Sequence, residues 1–226
     1  MSNWKKIWSK KSSGHSLVND INDVMDINGF NDTGVTYESY LEFWKHVNKK
    51  FNIQESSSFY EVGCGAGLSL KILHEELGHI VGGSDYAKNS TITAKGWDIS
   101  SDIECLEADD IPTNPKYDYL VAFSVFHYFP NLEYTAKVLK IMLEKSNKGI
   151  GIFDICDEEK KDIYVATRKE ADSNYEEKYK GLDHLFINKN FWNRFASEND
   201  LSIYIEDQHI KHYKNSKLRY NIYLTK

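Results

Sequence analysis

Short apolar runs alternate with longer amphipathic stretches over most of the chain. Seven of these runs are bounded by polar or glycine residues, which predicts β-strands. They lie near 58–62, 79–84, 103–107, 117–123, 149–156, 201–206 and 218–224. Helical periodicity fills most of the stretches between them, so the pattern predicts an α/β protein.

Helices are predicted where apolar residues recur at intervals of three and four. Thr36 is suited to cap one of them, and two more are predicted after Asn131 and near 190–197. The apolar face of the first consists of Tyr37, Tyr40, Leu41, Trp44, Val47 and Phe51. Trp4 and Trp8, which lie four residues apart among lysines, predict a short amphipathic helix. The chain therefore begins with helices.

A glycine-rich turn follows the first predicted strand. Glu61 ends the strand, and Gly63, Gly65 and Gly67 then alternate with small residues before a helical pattern begins at Leu68. Glycine reaches positive φ and lets the backbone approach a ligand closely. The turn predicts a site for a nucleotide-like ligand. Its G-x-G-x-G spacing differs from the dinucleotide fingerprint G-x-G-x-x-G, which disfavours an NAD-dependent oxidoreductase.

The segment from Glu61 to Gly67 resembles motif I of the class I S-adenosylmethionine-dependent methyltransferases, usually written (D/E)-x-G-x-G-x-G. Three later segments resemble the next motifs of that family in the same order, at 80–85, 103–112 and 117–129. The resemblance implies a doubly wound, Rossmann-like three-layer sandwich. Its seven-stranded sheet would be mostly parallel, with an antiparallel C-terminal strand.

The same resemblance implies S-adenosyl-L-methionine as the cofactor and S-adenosyl-L-homocysteine as its product. Glu61 would accept from the cofactor's amino group and Asp85 from its ribose hydroxyls. Either Glu107 or Asp109 would contact the adenine, because Glu107 stands where the family usually has aspartate. The expected cofactor site consists of Glu61, Gly63, Cys64, Gly65, Gly67, Asp85, Tyr86, Glu107, Ala108, Asp109 and Ser124.

His127 is the candidate catalytic base. It follows the fourth predicted strand, and ligands bind outside the carboxyl ends of such strands; the pKa of histidine suits proton transfer. The alternative is that His127 only packs or hydrogen-bonds at a helix start. The acceptor is expected near Tyr37, Tyr40, His127, Tyr128 and His184. The two N-terminal tyrosines can equally belong to a buried helix face, and His184 to a solvated loop.

The resemblance divides a single domain, 1–226, into three parts. An N-terminal helical lid segment occupies 1–57, and a cofactor-binding half occupies 58–156. An acceptor-side insertion and the closing strands occupy 157–226. A chain of this length can bury a proper core.

Composition limits the classes of partner. The formal net charge is −6 at pH 7 and the motifs contain no lysine or arginine stripe, which disfavours nucleic acid. No apolar run is long enough to span a bilayer, so a soluble, cytoplasmic protein is expected. Cys64, Cys105 and Cys156 occur singly, which predicts buried thiols in a reducing compartment. No metal site is expected, because the acidic residues near His127 lack ligand-like spacing.

These observations predict an enzyme that methylates a small-molecule acceptor. The W-x-x-x-W start is similar to methyltransferases of surface-polysaccharide gene clusters, which favours O-methylation of a sugar, a nucleotide-linked sugar or a similar glycan building block. A small-molecule N-methyltransferase is one alternative, since an amine attacks once neutral and needs no base. A non-catalytic member of the fold is another.

Overall fold

A computed structural model of the chain describes residues 3–11, 20–172 and 174–226. The predicted helical segment 1–57 therefore lies partly outside the described residues, at 1–2 and 12–19, as does residue 173 of the predicted C-terminal part. No helix within the described ranges is long and apolar enough to cross a membrane.

The described residues form one seven-stranded sheet. Its strands are β1 (Ser58–Val62), β2 (Ile80–Asp85), β3 (Ile103–Cys105), β4 (Tyr117–Phe123), β5 (Ser146–Cys156), β6 (Ser202–Asp207) and β7 (Arg219–Thr225). They lie in the order β3-β2-β1-β4-β5-β7-β6. Strands β1 to β5 pair in parallel, and β7 is antiparallel to both of its neighbours. The predicted mostly parallel sheet with an antiparallel C-terminal strand is confirmed.

Helices cover both faces of the sheet. Their bounds are α1 (Asn3–Lys11), α2 (Ile21–Ile27), α3 (Tyr37–Lys50), α4 (Leu68–Lys71, continued as a π-helix over Ile72–Glu76), α5 (Lys88–Gly96), α6 (Leu132–Lys145), α7 (Lys161–Ala171), α8 (Tyr175–Lys178) and α9 (Lys189–Glu198). Thr36 begins α3 in a reciprocal capping box with Ser39. The Asn131 side chain caps α6 by accepting from the Tyr134 N–H. The Thr36 cap was predicted from the sequence, and a helix was predicted to follow Asn131.

The three layers follow from alternation within the strands, because successive side chains point to opposite faces of a sheet. In β1, Phe59 packs in a core with residues of α2, α3 and α4. Its neighbour Tyr60 packs in a second core with residues of α6 and α9. The carboxyl ends of the central strands remain between these layers, and the glycine-rich turn lies there.

Two of the three predicted buried thiols are buried. Cys64 follows β1 and Cys156 ends β5, and both are at most 2% exposed. The prediction was wrong for Cys105, whose thiol is exposed. The reason is that β3 is a three-residue strand at the edge of the sheet, so its last residue has no covering layer.

Candidate active site

A cavity of about 380 Å³ lies at the carboxyl ends of β1, β2 and β4. This volume is within the range of small-molecule sites. Residues at the carboxyl ends of these strands form its floor, and α1 and the end of α2 close its sides. The predicted residues on its wall are Tyr40, Glu61, Gly63, Cys64, Gly65, Asp85, Tyr86, Glu107, Ala108, Ser124 and Tyr128. Most of the predicted site residues therefore line one cavity.

The glycines shape the turn beneath the cavity. Gly63 has a φ of 75°, and a Cβ there would lie 2.4 Å from a methyl carbon of Val125. Gly65 has a φ of 54°, and its Cβ would lie 2.8 Å from Oδ1 of Asn28. The same Asn28 oxygen accepts the Ala66 N–H at 2.8 Å, so the end of α2 holds the turn. Gly67 lies behind the wall, where it precedes α4 with a φ of 84°.

Glu61 places a buried carboxylate at the cavity. Its side chain is 2% exposed, and Oε1 accepts the Ser69 hydroxyl at 2.8 Å. Tyr40 in turn lies 2.7 Å from that serine oxygen, and since Ser69 donates to Glu61, Tyr40 donates to Ser69. Oε2 is buried and has no hydrogen-bond partner in the described protein. Burial raises the pKa of Glu61 to about 8. A cationic hydrogen-bond donor bound here would offset the cost of burying the ionised carboxylate.

Asp85 joins the end of β2 to the glycine-rich turn. Its two carboxylate oxygens accept the backbone N–H groups of Gly65 at 3.1 Å and Ala87 at 2.7 Å. Burial raises the pKa of Asp85 to about 6, although both hydrogen bonds act in the opposite direction. Each oxygen keeps a further lone pair. Asp85 therefore both fixes the turn and can accept from hydroxyl groups in the cavity.

The two candidates for an adenine contact are separated in space. Glu107 lies on the cavity wall, where it forms an ion pair with Lys5 of α1. Asp109 is turned toward α6, and its oxygens accept from Tyr134 at 2.9 Å and Lys137 at 2.8 Å. The hydrogen bond from Lys137 lowers the pKa of Asp109. The geometry therefore favours Glu107.

Helix α1 covers the cavity with two indole rings. Trp4 stacks on His184 at a centroid distance of 4.7 Å, and its indole N–H donates to the Asp183 carbonyl at 3.0 Å. Trp8 packs edge-on against Tyr128 at 5.5 Å. The sequence predicted this helix but assigned no binding residue to it. The signal was present, because two large aromatic residues at i and i+4 share one helix face.

Helix α3, which belongs to the predicted lid segment 1–57, brings one of its two candidate tyrosines to the cavity. Tyr40 of α3 is 1% exposed and contributes to the cavity wall from within the core. Tyr37, one turn earlier, lies outside the cavity and donates its hydroxyl to Glu76 at 3.0 Å. Of the two tyrosines, only Tyr40 is therefore brought to the site.

His127 lies behind the cavity wall. It is 1% exposed, and Nδ1 lies 3.0 Å from a guanidinium nitrogen of Arg219. Arginine only donates, so Nδ1 carries the lone pair and the proton is assigned to Nε2. Burial and then the Arg219 charge lower the pKa of His127 well below its ordinary value. This geometry favours the alternative interpretation, hydrogen bonding at the start of a helix.

His184 is not a solvated loop histidine, so that interpretation was wrong. Its Nδ1 lies 2.8 Å from the Tyr164 hydroxyl, and its ring packs against Trp4, His127 and Tyr128. Burial, followed by nearby arginine charges, lowers its pKa well below the ordinary value. The ring therefore supports the α1 cover.

Asp154 is a buried acidic residue that the sequence interpretation missed. It is fully buried near the end of β5 with a φ of 62°, and one oxygen accepts from Tyr213 at 3.1 Å while the other has no partner within the described residues. Ser124, one residue beyond the neighbouring β4, has a φ of 57°. Such strained backbone clusters at functional sites. An apolar run ending in an acid, the pattern that identified Glu61, also marks Asp154.

Comparisons with known proteins agree with this fold. Residues 60–146 match the family model of a methyltransferase domain. Among curated proteins, no match to the chain is found. Many solved structures resemble it, including the plantazolicin methyltransferase BpumL in complex with S-adenosylhomocysteine. That chain is 16% identical, the alignment covers 98% of this chain and 96% of that one, and the TM-score is 0.68.

Two further solved structures have the same fold. Magnesium protoporphyrin IX methyltransferase (ChlM) from Synechocystis PCC 6803 with bound S-adenosylmethionine is 13% identical, covering 100% of this chain and 92% of that one, with a TM-score of 0.59. A S-adenosylmethionine-dependent methyltransferase from Clostridium acetobutylicum ATCC 824 is 11% identical, covering 92% and 97%, with a TM-score of 0.61. At these identities the likeness shows the fold.

Proposed function

Since residues 60–146 are a methyltransferase domain within a class I methyltransferase fold, we propose that this S-adenosylmethionine-dependent enzyme methylates a small-molecule acceptor held under α1. The match of residues 60–146 to the methyltransferase family model supports the predicted enzyme class and cofactor. The residues that bind the cofactor and the chemical class of the acceptor are the proposal.

The observation that carries the cofactor proposal is the orphaned Glu61 oxygen. A buried carboxylate with an unsatisfied atom is costly unless it is paired, and Glu61 lines a cavity of suitable size. The ammonium group of the cofactor would supply both charge and hydrogen bonds. Asp85 would accept from the ribose hydroxyls, and Glu107 with Ala108 would lie against the adenine. The residues present therefore fit the cofactor.

The protein's own contribution is positioning. When bound, S-adenosylmethionine supplies a methyl group that its sulfonium has already activated. Holding an acceptor in line with that methyl group can supply about 7–11 kcal/mol of the barrier. Trp4, Trp8 and Tyr128 cover the cavity with apolar surface, which supports a compact acceptor and exclusion of water. We assign these three residues to the acceptor and its cover.

Two acceptor classes follow from different observations. The W-x-x-x-W resemblance supports a hydroxyl of a sugar, a nucleotide-linked sugar or a related glycan building block. A hydroxyl needs a base, and the Nδ1 lone pair of His127 is occupied by Arg219. An amine that is neutral attacks without an enzymatic base, so the geometry around His127 supports N-methylation. We propose small-molecule N-methylation as the first class to test and sugar O-methylation as the second.

The binding experiment is calorimetric titration of the full chain with S-adenosylhomocysteine and, separately, with NAD. We expect S-adenosylhomocysteine to bind and NAD not to bind. Asp85→Ala should abolish binding, and Asp109→Asn should leave it unchanged. Binding of NAD without S-adenosylhomocysteine would contradict the proposal.

The acceptor experiment measures transfer from methyl-labelled S-adenosylmethionine to two panels, small primary and secondary amines and nucleotide-activated sugars. If an amine is the acceptor, a His127→Gln variant should retain most of its kcat. A sugar product together with loss of kcat in that variant would favour O-methylation with His127 as the base. Binding of S-adenosylhomocysteine without transfer to either panel would support the non-catalytic alternative.

A further inference from the structure

Three potential metal ligands meet at the edge of the sheet farthest from β3. His46 comes from α3, Glu206 from β6 and His209 from the loop that follows. Nε2 of His46 lies 3.0 Å from Oε1 of Glu206, and Nδ1 of His209 lies 3.7 Å from the same oxygen. All three ligand atoms lie within 4.8 Å of one another. The cluster is separate from the residues that line the methyltransferase cavity.

The spacing of these atoms suits a transition-metal ion. Zn²⁺ binds imidazole nitrogen and carboxylate oxygen at about 2.0–2.2 Å in a tetrahedron, which places ligand atoms about 3.3 Å apart. The two measured separations bracket that value. Each ring nitrogen that faces the carboxylate oxygen either donates an N–H to it or shares a metal ion with it.

The surroundings of Glu206 hold its carboxylate in place. The Tyr223 hydroxyl donates to Oε1 of Glu206 at 2.8 Å, the kind of outer contact that orients a ligating carboxylate. Lys50 lies 3.5 Å from the other oxygen, Oε2, and its ammonium also sits 3.9 Å from the Tyr204 ring centroid. The Tyr223 hydroxyl uses one lone pair of Oε1, so the other lone pair remains for a cation.

The three side chains are partly exposed, so solvent can reach them. Glu206 is 13% exposed, and His46 and His209 are 32% and 36% exposed. The ring centroids of His46 and His209 lie 4.1 Å apart. An ion can thus reach the cluster from solvent while the three elements hold its ligands.

We propose that His46, Glu206 and His209 bind a divalent first-row transition-metal ion, with Zn²⁺ the best fit, which joins α3 to the β6 edge of the sheet. Imidazole and carboxylate ligands together suit this class of ion better than Mg²⁺, which prefers oxygen ligands. Three protein ligands leave a fourth position for water. The role is structural, and it does not depend on the proposed function.

The test is calorimetric titration of the full chain, freed of any histidine tag and of chelator, with Zn²⁺ and separately with Mg²⁺. We expect one equivalent of Zn²⁺ to bind and no comparable binding of Mg²⁺. His46→Ala, Glu206→Gln and His209→Gln should each weaken Zn²⁺ binding by at least about 10–100-fold, because loss of outer contacts alone has that effect. Addition of Zn²⁺ should raise the Tm of the wild-type chain but not of these variants.

His212→Asn is the matched control, since His212 is exposed nearby in the same loop and asparagine tolerates its φ of 65°. It should bind Zn²⁺ as the wild type does. Titration of each variant with S-adenosylhomocysteine should give the wild-type affinity, which shows that the variant is folded and separates this test from that of the proposed function. Equal Zn²⁺ affinity in wild type and His46→Ala, or equal binding of Mg²⁺ and Zn²⁺, would overturn the proposal.

Discussion

Replacing Glu61 by glutamine should stabilise the ligand-free protein while weakening its cofactor site. Burial raises the pKa of Glu61 from 4.5 to about 8, so the folded chain holds a proton that the unfolded chain releases above pH 4.5. The contribution of protonated Glu61 to the free energy of unfolding is fully present below pH 4.5, and it is lost as the pH rises toward 8. A pH of 7 is 2.5 units above the ordinary glutamate pKa of 4.5. At about 1.36 kcal/mol per unit, the stability lost by pH 7 is about 3 kcal/mol.

Urea unfolding of wild type and Glu61→Gln at pH 5, 6, 7 and 8 measures this difference. Glutamine cannot ionise, so the variant should gain stability over wild type steadily with pH, from below about 1 kcal/mol at pH 5 to about 3 kcal/mol at pH 7. In a chain of this size the latter corresponds to a Tm increase of roughly 6–12 °C. Glu76→Gln, which changes a carboxylate outside the cavity, is the control and should show no such trend.

The same variant should bind S-adenosylhomocysteine about 10–100-fold more weakly at pH 7.5, because a charge-assisted hydrogen bond contributes about 1.5–3 kcal/mol. Binding to wild type should release a proton from Glu61, since the ligand's ammonium stabilises the carboxylate. Calorimetry in buffers of different ionisation enthalpy detects that proton. A stability difference that does not change with pH, or undiminished binding by Glu61→Gln, would refute the reasoning.

Three further predictions concern the same cavity. Glu107→Gln should weaken S-adenosylhomocysteine binding several-fold in calorimetry, and Asp109→Asn should not; the opposite order would assign the adenine contact to Asp109. Trp4→Ala should speed dissociation of S-adenosylhomocysteine in stopped-flow measurements by about 10-fold or more, because it removes the stacked ring and one hydrogen bond; an unchanged rate would exclude α1 as the cover. Gly63→Ala should lower stability to urea by at least about 1–3 kcal/mol, since it combines a positive φ with a collision at Val125, and wild-type stability would contradict that account.

The fold could be predicted because its signals are local. Strand β1 has the predicted bounds, 58–62, since an apolar run flanked by polar residues determines them within a few residues. Strand β5 begins at Ser146, earlier than predicted, because its first residues are polar and only pairing with β4 extends it. The cap of α3 was likewise predicted from the sequence as Thr36.

The candidate site was predictable where a residue ends a strand. Glu61 and Asp85 lie at the ends of predicted strands, so their position at the carboxyl end of the sheet is a local property. The environment of His127 instead depends on Arg219, which is 92 residues away in sequence. Trp4 belongs to a nine-residue helix, and so short a pattern does not indicate which surface the helix covers. Contacts of this range decide which candidates reach the cavity.

Strand β7 has a consequence for how the chain folds during synthesis. It lies between β5 and β6, although it follows both in the sequence. Strands β1 to β5 can therefore pair as they leave the ribosome, whereas β6 emerges before the strand that it pairs with. Until β7 arrives, the edges of β5 and β6 are open to pairing with other chains. We expect partially synthesised or C-terminally truncated chains to aggregate, and completion of the sheet to be the late step of folding.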